Sequence, residues 1–92
     1  MQVFTQGQGR IRMRQTREYL VITFSETADA MAAEKLFHEL SFPGRIIPIP
    51  RQLSAGCGLA WRTEMEYREE AEETLGRGRI RWQEMAPVSL WV

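Results

Sequence analysis

The sequence predicts an α+β fold with four strands and two helices. Short runs of β-branched and aromatic residues alternate with two longer stretches that have helical periodicity. Proline and glycine separate these segments. The chain has 92 residues, which is the size of one small domain, and its core is correspondingly thin.

The first strand and the first helix are predicted next to each other. YLVITF, residues 19–24, is apolar, short and bounded by polar residues, as a buried strand is. The stretch that follows predicts an amphipathic helix with Thr27 as its N-cap and Asp29 in its first turn. Pro43-Gly44 ends this helix. The i, i+3, i+4, i+7 spacing assigns its buried face to Ala33, Leu36, Phe37 and Leu40.

Two strands are predicted in the middle of the chain, separated by a loop that contains Cys57. RIIPIP, residues 45–50, contains Pro48 and Pro50, which lack the N–H groups that a sheet ladder needs. This strand must therefore lie at a sheet edge. GLAWR, residues 58–62, is apolar and is predicted to be a central strand.

The last part of the chain predicts a second helix and a fourth strand. Residues 63–75 carry a dense row of glutamates on the predicted outer face, and the inner stripe holds Tyr67, Ala71, Thr74 and Leu75. RIRWQE, residues 79–84, alternates apolar and charged residues, as a half-exposed strand does. Pro87 interrupts the tail, and residues 88–92 are expected to extend or cover the sheet.

The element order β-α-β-β-α-β predicts a ferredoxin-like plait, which is a four-stranded antiparallel sheet with both helices on one face. The spatial order of strands would be fourth, first, third, second, with the proline-containing strand at an edge. Residues 1–18 are polar and carry four arginines, so they predict a flexible basic arm. Residues 19–92 form the single predicted domain.

Composition narrows the classes of function. Twelve basic residues balance twelve acidic ones, so net charge attracts neither nucleic acid nor membrane. The single cysteine excludes an internal disulfide and a multi-cysteine metal site, and no cofactor is predicted. No apolar run reaches the ~20 residues of a membrane span, and the N-terminus has no signal-peptide core. We therefore expect a soluble protein of the cytoplasm, because a lone thiol stays reduced in that compartment.

Cys57 is the main candidate for a functional side chain, because Gly56 and Gly58 flank it. In the predicted topology its loop lies where the first strand ends and the first helix begins. The N–H groups of a helix N-terminus favour a thiolate, and the nearby Arg51 and Arg62 are predicted to support it. The alternative is that Cys57 is a small buried hydrophobic residue in a tight hairpin, which is the more common role of a lone cysteine.

Five short strings together resemble the family of selenium/sulfur carrier-like domains. In order along the chain they are Asp29-Ala30, Ala33-Glu34-Lys35-Leu36, Pro43-Gly44-Arg45, Pro48-Ile49-Pro50-Arg51 and Ser54-Ala55-Gly56-Cys57-Gly58-Leu59. Their order and spacing cover about residues 19–84 and are more specific than any one of them. The N-terminal arm and the final VSLWV lie outside the resemblance.

The resemblance implies a carrier rather than an enzyme. Cys57 would hold sulfur as a persulfide, or selenium as a selenyl-sulfide, and pass it on. The implied partners are a donor enzyme of the desulfurase type and an acceptor enzyme. The residues predicted to support the cysteine are Ser54, Gly56, Gly58, Arg51 and Arg62, and no metal or cofactor is implied.

Two other classes of function stay open from the sequence. RNA-recognition modules share the plait, but GLAWR lacks their basic and aromatic run, and the acidic second helix repels phosphate. A regulatory or assembly module, including a homodimer formed through a sheet edge, is the other class. His38, the only histidine, is predicted on the solvent face of the first helix and not as a base for Cys57.

Overall fold

The computed structural model describes residues 15–53 and 56–91. In this part of the chain four strands and two helices follow one another, which confirms the α+β class. A short 3₁₀ turn precedes the second helix. The elements are β1 Thr16–Thr23, α1 Thr27–Glu39, β2 Arg45–Pro48, β3 Leu59–Thr63, the 3₁₀ turn Met65–Tyr67, α2 Arg68–Arg77 and β4 Glu84–Trp91.

The four strands form one antiparallel sheet in the order β2-β3-β1-β4. β2 lies at one edge, as predicted from its prolines, but it ends at Pro48, so Pro50 follows the strand. Pro48 pairs with Leu59. One more bond, from the Ile49 N–H to the Gly58 carbonyl at 3.0 Å, extends this pairing beyond the strand. Because β3 lies between β2 and β1, its predicted central position is confirmed.

One face of the sheet carries both helices and most of the core. Phe37 of α1 is fully buried, and its ring centroid lies 4.7 Å from that of Trp61 and 4.6 Å from that of Phe42. Alanines at the inner positions of both helices allow close approach to the sheet. The buried core on this face is Leu20, Ile22, Phe24, Ala30, Ala33, Phe37, Trp61, Ala71, Leu75 and Met85.

The other face of the sheet carries no helix of the described residues and is called the helix-free face below; it holds a smaller apolar cluster. Its buried members are Val21, Ala60 and Val88. Leu53, from the loop between β2 and β3, packs against them. Its neighbour Gln52 donates from Nε2 to the carbonyl oxygen of Ser89 in β4 at 3.2 Å. Because β2 and β4 are opposite edges, this loop crosses the helix-free face from one edge to the other.

The predicted position of the fourth strand is wrong, because residues 79–83 of RIRWQE do not form a strand. Arg79 has a left-handed φ of 55°, and the Ile80 N–H bonds to the Leu75 carbonyl at 2.9 Å, so these residues complete the end of α2. The strand begins at Glu84 and includes Pro87, which was expected to interrupt it. An edge strand tolerates a proline whose nitrogen points away from its neighbour, and among the described strands β4 pairs with β1 alone.

Two boundaries at the start of the chain also differ from the sequence-based expectation. β1 begins at Thr16, within the predicted arm, and Thr16 pairs with Trp91. The predicted flexibility of residues 1–14 lies outside the described residues. The N-cap of α1 is Glu26 and not Thr27, which is the first helical residue, and no side chain caps this helix.

Candidate functional site: the Cys57 loop

The Cys57 loop joins the edge strand β2 to the central strand β3. The bond between Ile49 and Gly58 closes it at its base. A turn follows, in which the Leu53 N–H bonds to the Pro50 carbonyl at 3.0 Å. Pro50 is buried, and Leu53 is half-buried on the helix-free face. The loop is therefore attached to the sheet at several points and is not a free excursion into solvent.

Cys57 is a free thiol with a half-buried side chain. It packs at the margin of the core on the helix-covered face. Its Sγ accepts from the Leu59 N–H at 3.4 Å and donates to the Leu59 carbonyl oxygen at 3.5 Å. A thiolate at this position would keep the N–H contact and lose the donated one. The sulfur is partly packed and partly open to solvent.

Gly56 joins this loop to the turn between β1 and α1. A Cβ atom at Gly56 would lie only 2.6 Å from the carbonyl oxygen of Ser25, so the two backbones are in direct contact. The loop therefore lies at the end of the sheet where β1 ends and α1 begins, as the predicted topology requires. The close approach explains why the position before Cys57 has no side chain.

Gly58, on the other side of Cys57, has a different constraint. Its φ of +78° is in the left-handed region, and nothing lies within 4 Å of the place a Cβ would occupy. The backbone conformation, and not crowding, favours glycine here. The two glycines that flank Cys57 thus have different roles. Gly56 allows close packing on the Ser25 backbone, and Gly58 turns the chain into β3.

The two predicted supporting arginines lie away from the sulfur. Arg51 is exposed and borders a groove with Gln52 and Leu90, next to the helix-free face. The guanidinium of Arg62 lies 4.4 Å from the centroid of the Tyr19 ring, also on that face. Within the described residues neither arginine contacts the Cys57 sulfur. Ser54, the other predicted supporting residue, lies outside the described residues.

A polar cavity of about 420 Å³ lies at the same end of the sheet as the Cys57 loop. It separates the β1–α1 turn from the segment between α2 and β4. Asp29 and Arg81 both line it and form an ion pair, with 3.7 Å between Oδ2 of Asp29 and Nη2 of Arg81. The sequence gives no sign of this cavity, because the alternation of residues 79–84 predicts a strand there. Its lining residues are Ser25, Glu26, Asp29, Ile80, Arg81 and Trp82.

The predicted solvent position of His38 and the question of metal ligands and membrane-spanning helices are answered by the described residues. His38 is exposed on the outer face of α1, beside Met31 and Lys35. No group of three or more acidic, histidine or cysteine side chains that could hold a metal ion occurs among residues 15–53 and 56–91. In the same part of the chain, no helix is both long and apolar enough to cross a membrane.

Comparison with known proteins gives one match. Searches of curated proteins and of solved structures find no significant similarity. A protein-family model described as "Putative Se/S carrier protein-like" matches residues 19–87, which is most of the chain. The match runs from β1 into β4 and includes the whole Cys57 loop. The chain therefore belongs to this selenium/sulfur carrier-like family.

Proposed function

We propose that this domain, which we assign to the ferredoxin-like plait, is a sulfur or selenium carrier that acts through Cys57. The observation that carries the proposal is the position of the half-buried sulfur in a glycine-flanked loop. The bond between Ile49 and Gly58 closes this loop, and Gly56 packs on the Ser25 backbone. Membership of the family supports the same role. A reduced single thiol suits the cytoplasm.

The proposed loading step is a transfer of sulfane sulfur between two thiols. The Cys57 thiolate attacks the outer sulfur of a persulfide on the donor enzyme. A new S–S bond forms on Cys57, the donor's S–S bond breaks, and the donor cysteine leaves as a thiolate. No external oxidant or reductant is needed. A nucleophile on the acceptor enzyme removes the outer sulfur in the same way, and selenium would follow the same path as a selenyl-sulfide.

Two features of the loop suit this chemistry. Gly56 and Gly58 are both exposed and have no side chains, so the active site of a partner can approach the sulfur closely. Cys57 is the only cysteine of the chain. A persulfide on it therefore cannot be discharged by a second thiol of the same chain, and it persists until a partner accepts the sulfur.

The alternative is a non-catalytic interaction, regulatory or RNA-binding module in which Cys57 is structural. RNA-recognition modules of this architecture stack bases on exposed aromatic rings of the two central strands. Here Trp61 is buried on the helix-covered face. Tyr19, on the helix-free face, is only 5% exposed. These positions do not favour base stacking, which leaves the carrier as the stronger proposal.

Intact-protein mass spectrometry tests the carrier proposal. The protein is incubated with a pyridoxal-phosphate cysteine desulfurase and free cysteine, and in a parallel reaction with selenocysteine. We expect a gain of one sulfur or one selenium atom that dithiothreitol removes. Cys57→Ser should show no gain, because its hydroxyl cannot form a persulfide. The preferred element would identify the natural cargo.

The control separates chemistry from folding. Urea unfolding of Cys57→Ser should give a midpoint close to that of the wild type, since the substitution is small and the site is only half-buried. A wild-type protein that gains no atom, and whose Cys57 does not react with iodoacetamide in the folded state, would overturn the proposal. The interaction module with a structural cysteine would then be the better assignment.

A further inference from the structure

Three arginines from three neighbouring strands lie on the helix-free face at the end of the sheet away from Cys57. Arg17 and Arg62 flank the Tyr19 ring, with guanidinium carbons 5.1 and 4.4 Å from its centroid. Arg45 is the direct cross-strand partner of Arg62, so both lie on one face. We call Arg17, Arg45 and Arg62 the arginine cluster.

The cluster carries more positive charge than the carboxylates paired with it in the described residues balance. Like charges directly opposite each other on neighbouring strands destabilise a sheet. Glu64 forms an ion pair with Arg17, and within the described part of the chain no carboxylate pairs with Arg45 or Arg62. An anion bound between these two guanidinium groups would therefore relieve their mutual repulsion.

Arg62 is ordered before any ligand arrives. It is half-buried, and its guanidinium rests on the Tyr19 ring. Stacking of this kind fixes the plane of the guanidinium and leaves its edge N–H groups available. A planar guanidinium can donate two parallel hydrogen bonds to a carboxylate or phosphate. Because the side chain is already ordered, binding loses less rotamer entropy.

A small cavity opens beside these side chains. It has a volume of about 190 Å³. Its lining includes Gly44, Arg45, Arg62 and Glu64, whose carboxylate is paired with Arg17. The hydroxyl of Thr63 donates to the Pro43 carbonyl at 2.7 Å and fixes the rim. This concave, small site suits one anionic group better than the surface of a macromolecule.

We propose that this cavity binds an oxyanion group, either phosphate or carboxylate, of a small molecule. The guanidinium groups of Arg45 and Arg62 would contact its oxygens. The site is independent of the proposed carrier function. Arg62 lies near the end of β3, whereas Cys57 precedes the start of that strand, and Cys57 packs on the opposite face.

NMR titration of the isotope-labelled full chain tests the proposal, with inorganic phosphate in one series and acetate in another at constant ionic strength. We expect saturable shifts of the Gly44, Arg45, Arg62 and Thr63 amides with one of the two anions. The anion that binds more tightly identifies the class of the oxyanion. Arg62→Gln and, separately, Arg45→Gln should each weaken binding about tenfold or more, since each removes a charged donor.

Matched variants make the outcome decisive. Arg77→Gln removes an exposed arginine that pairs with Glu73 on α2, so it should leave the affinity unchanged. Cys57→Ser should also bind normally. Arg45 is exposed, so Arg45→Gln keeps the test valid even if Arg62→Gln is unstable. No saturable shift with either anion, or an equal loss of affinity in Arg77→Gln, would overturn the proposal. Tight, salt-dependent binding of an RNA oligonucleotide without phosphate binding would overturn it in favour of nucleic acid.

Discussion

The two faces of the sheet are covered by different kinds of structure. On the helix-covered face, α1 and α2 pack fully buried side chains against β1, β3 and β4. On the helix-free face, the Cys57 loop supplies Leu53, and Gln52 reaches across to β4. One cover consists of regular helices with large rings and alanines, whereas the other, in the described part of the chain, is a short segment of loop.

This difference separates stability from the position of the thiol. The burial of large apolar side chains is the main stabilising term, and it is concentrated on the helix-covered face. The loop contributes little burial, but the same loop carries Cys57. We therefore expect substitutions on the helix-covered face to change the free energy of unfolding most. Substitutions in the loop should change the reactivity of Cys57 more than they change stability.

Phe37→Ala should have the largest effect. The ring is fully buried between Phe42 and Trp61, so its loss leaves a cavity and costs about 3–5 kcal/mol. A small domain has only about 5–15 kcal/mol of stability in total. Urea unfolding measures the loss. Met31→Ala on the same helix is the control, because Met31 is half exposed and should change the free energy by about 0.5 kcal/mol or less.

Gly56→Ala should have the next largest effect, because it forces the Cys57 loop away from the Ser25 backbone. The contact is with a backbone oxygen, which cannot rotate away as a flexible side chain does. We expect a cost of about 1–3 kcal/mol and a changed alkylation rate of Cys57. Gly76→Ala is the control. It lies in α2 with open space around it and should stabilise by about 0.5–1 kcal/mol. Unchanged stability and reactivity in Gly56→Ala would show that the loop does not depend on this contact.

Leu53→Ala tests the cover of the helix-free face. Leu53 is half-buried against Val21, Ala60 and Val88, so truncation should cost about 1–2 kcal/mol, less than in a fully buried site. Release of the loop should also expose Cys57, so that iodoacetamide reacts faster with the folded protein. Leu40→Ala, at an exposed position, should change neither quantity. If Leu53→Ala loses stability but the alkylation rate stays the same, the two properties are not linked through this loop.

Much of the fold could be predicted from the sequence, because local patterns determine most of it. The prolines at 48 and 50 identified the edge strand, and the helical spacing identified Ala33 and Phe37 as buried. Leu40, which the same spacing assigned to the buried face, is exposed, because α1 ends at Glu39. The fourth strand was misplaced. RIRWQE has the alternation of a strand, but a left-handed residue and a bond back to α2 make it a helix end. Alternation over six residues cannot detect this bond, which depends on how α2 terminates.

The position of the Cys57 loop in the fold could be predicted, whereas the positions of the arginines could not. The topology brought the Cys57 loop to the turn that contains Ser25, because the direction of β1 and β2 fixes which loops share an end. Proximity in sequence was a poor guide to the arginines. Arg62 is five residues from Cys57, but strand alternation turns it to the other face. The path of the loop over the sheet has only a weak signal in the sequence, which is the large apolar side chain of Leu53 directly after Arg51 and Gln52.

Gln52→Ala should have the smallest effect on stability and gives the sharpest test of the comparison between the two faces. It removes the bond to the Ser89 carbonyl, which ties the Cys57 loop to the far edge of the sheet. The bond is exposed, so its loss should cost about 0.5–1 kcal/mol or less. Gln83→Ala is the matched control, because the hydrogen bond of Gln83 to Thr23 comes from its backbone and survives the substitution. Alkylation of Cys57 should be faster in Gln52→Ala than in Gln83→Ala at nearly equal unfolding midpoints. Equal rates would mean that Gly56 and Leu53 alone hold the thiol, and that the contact with β4 has no part in its reactivity.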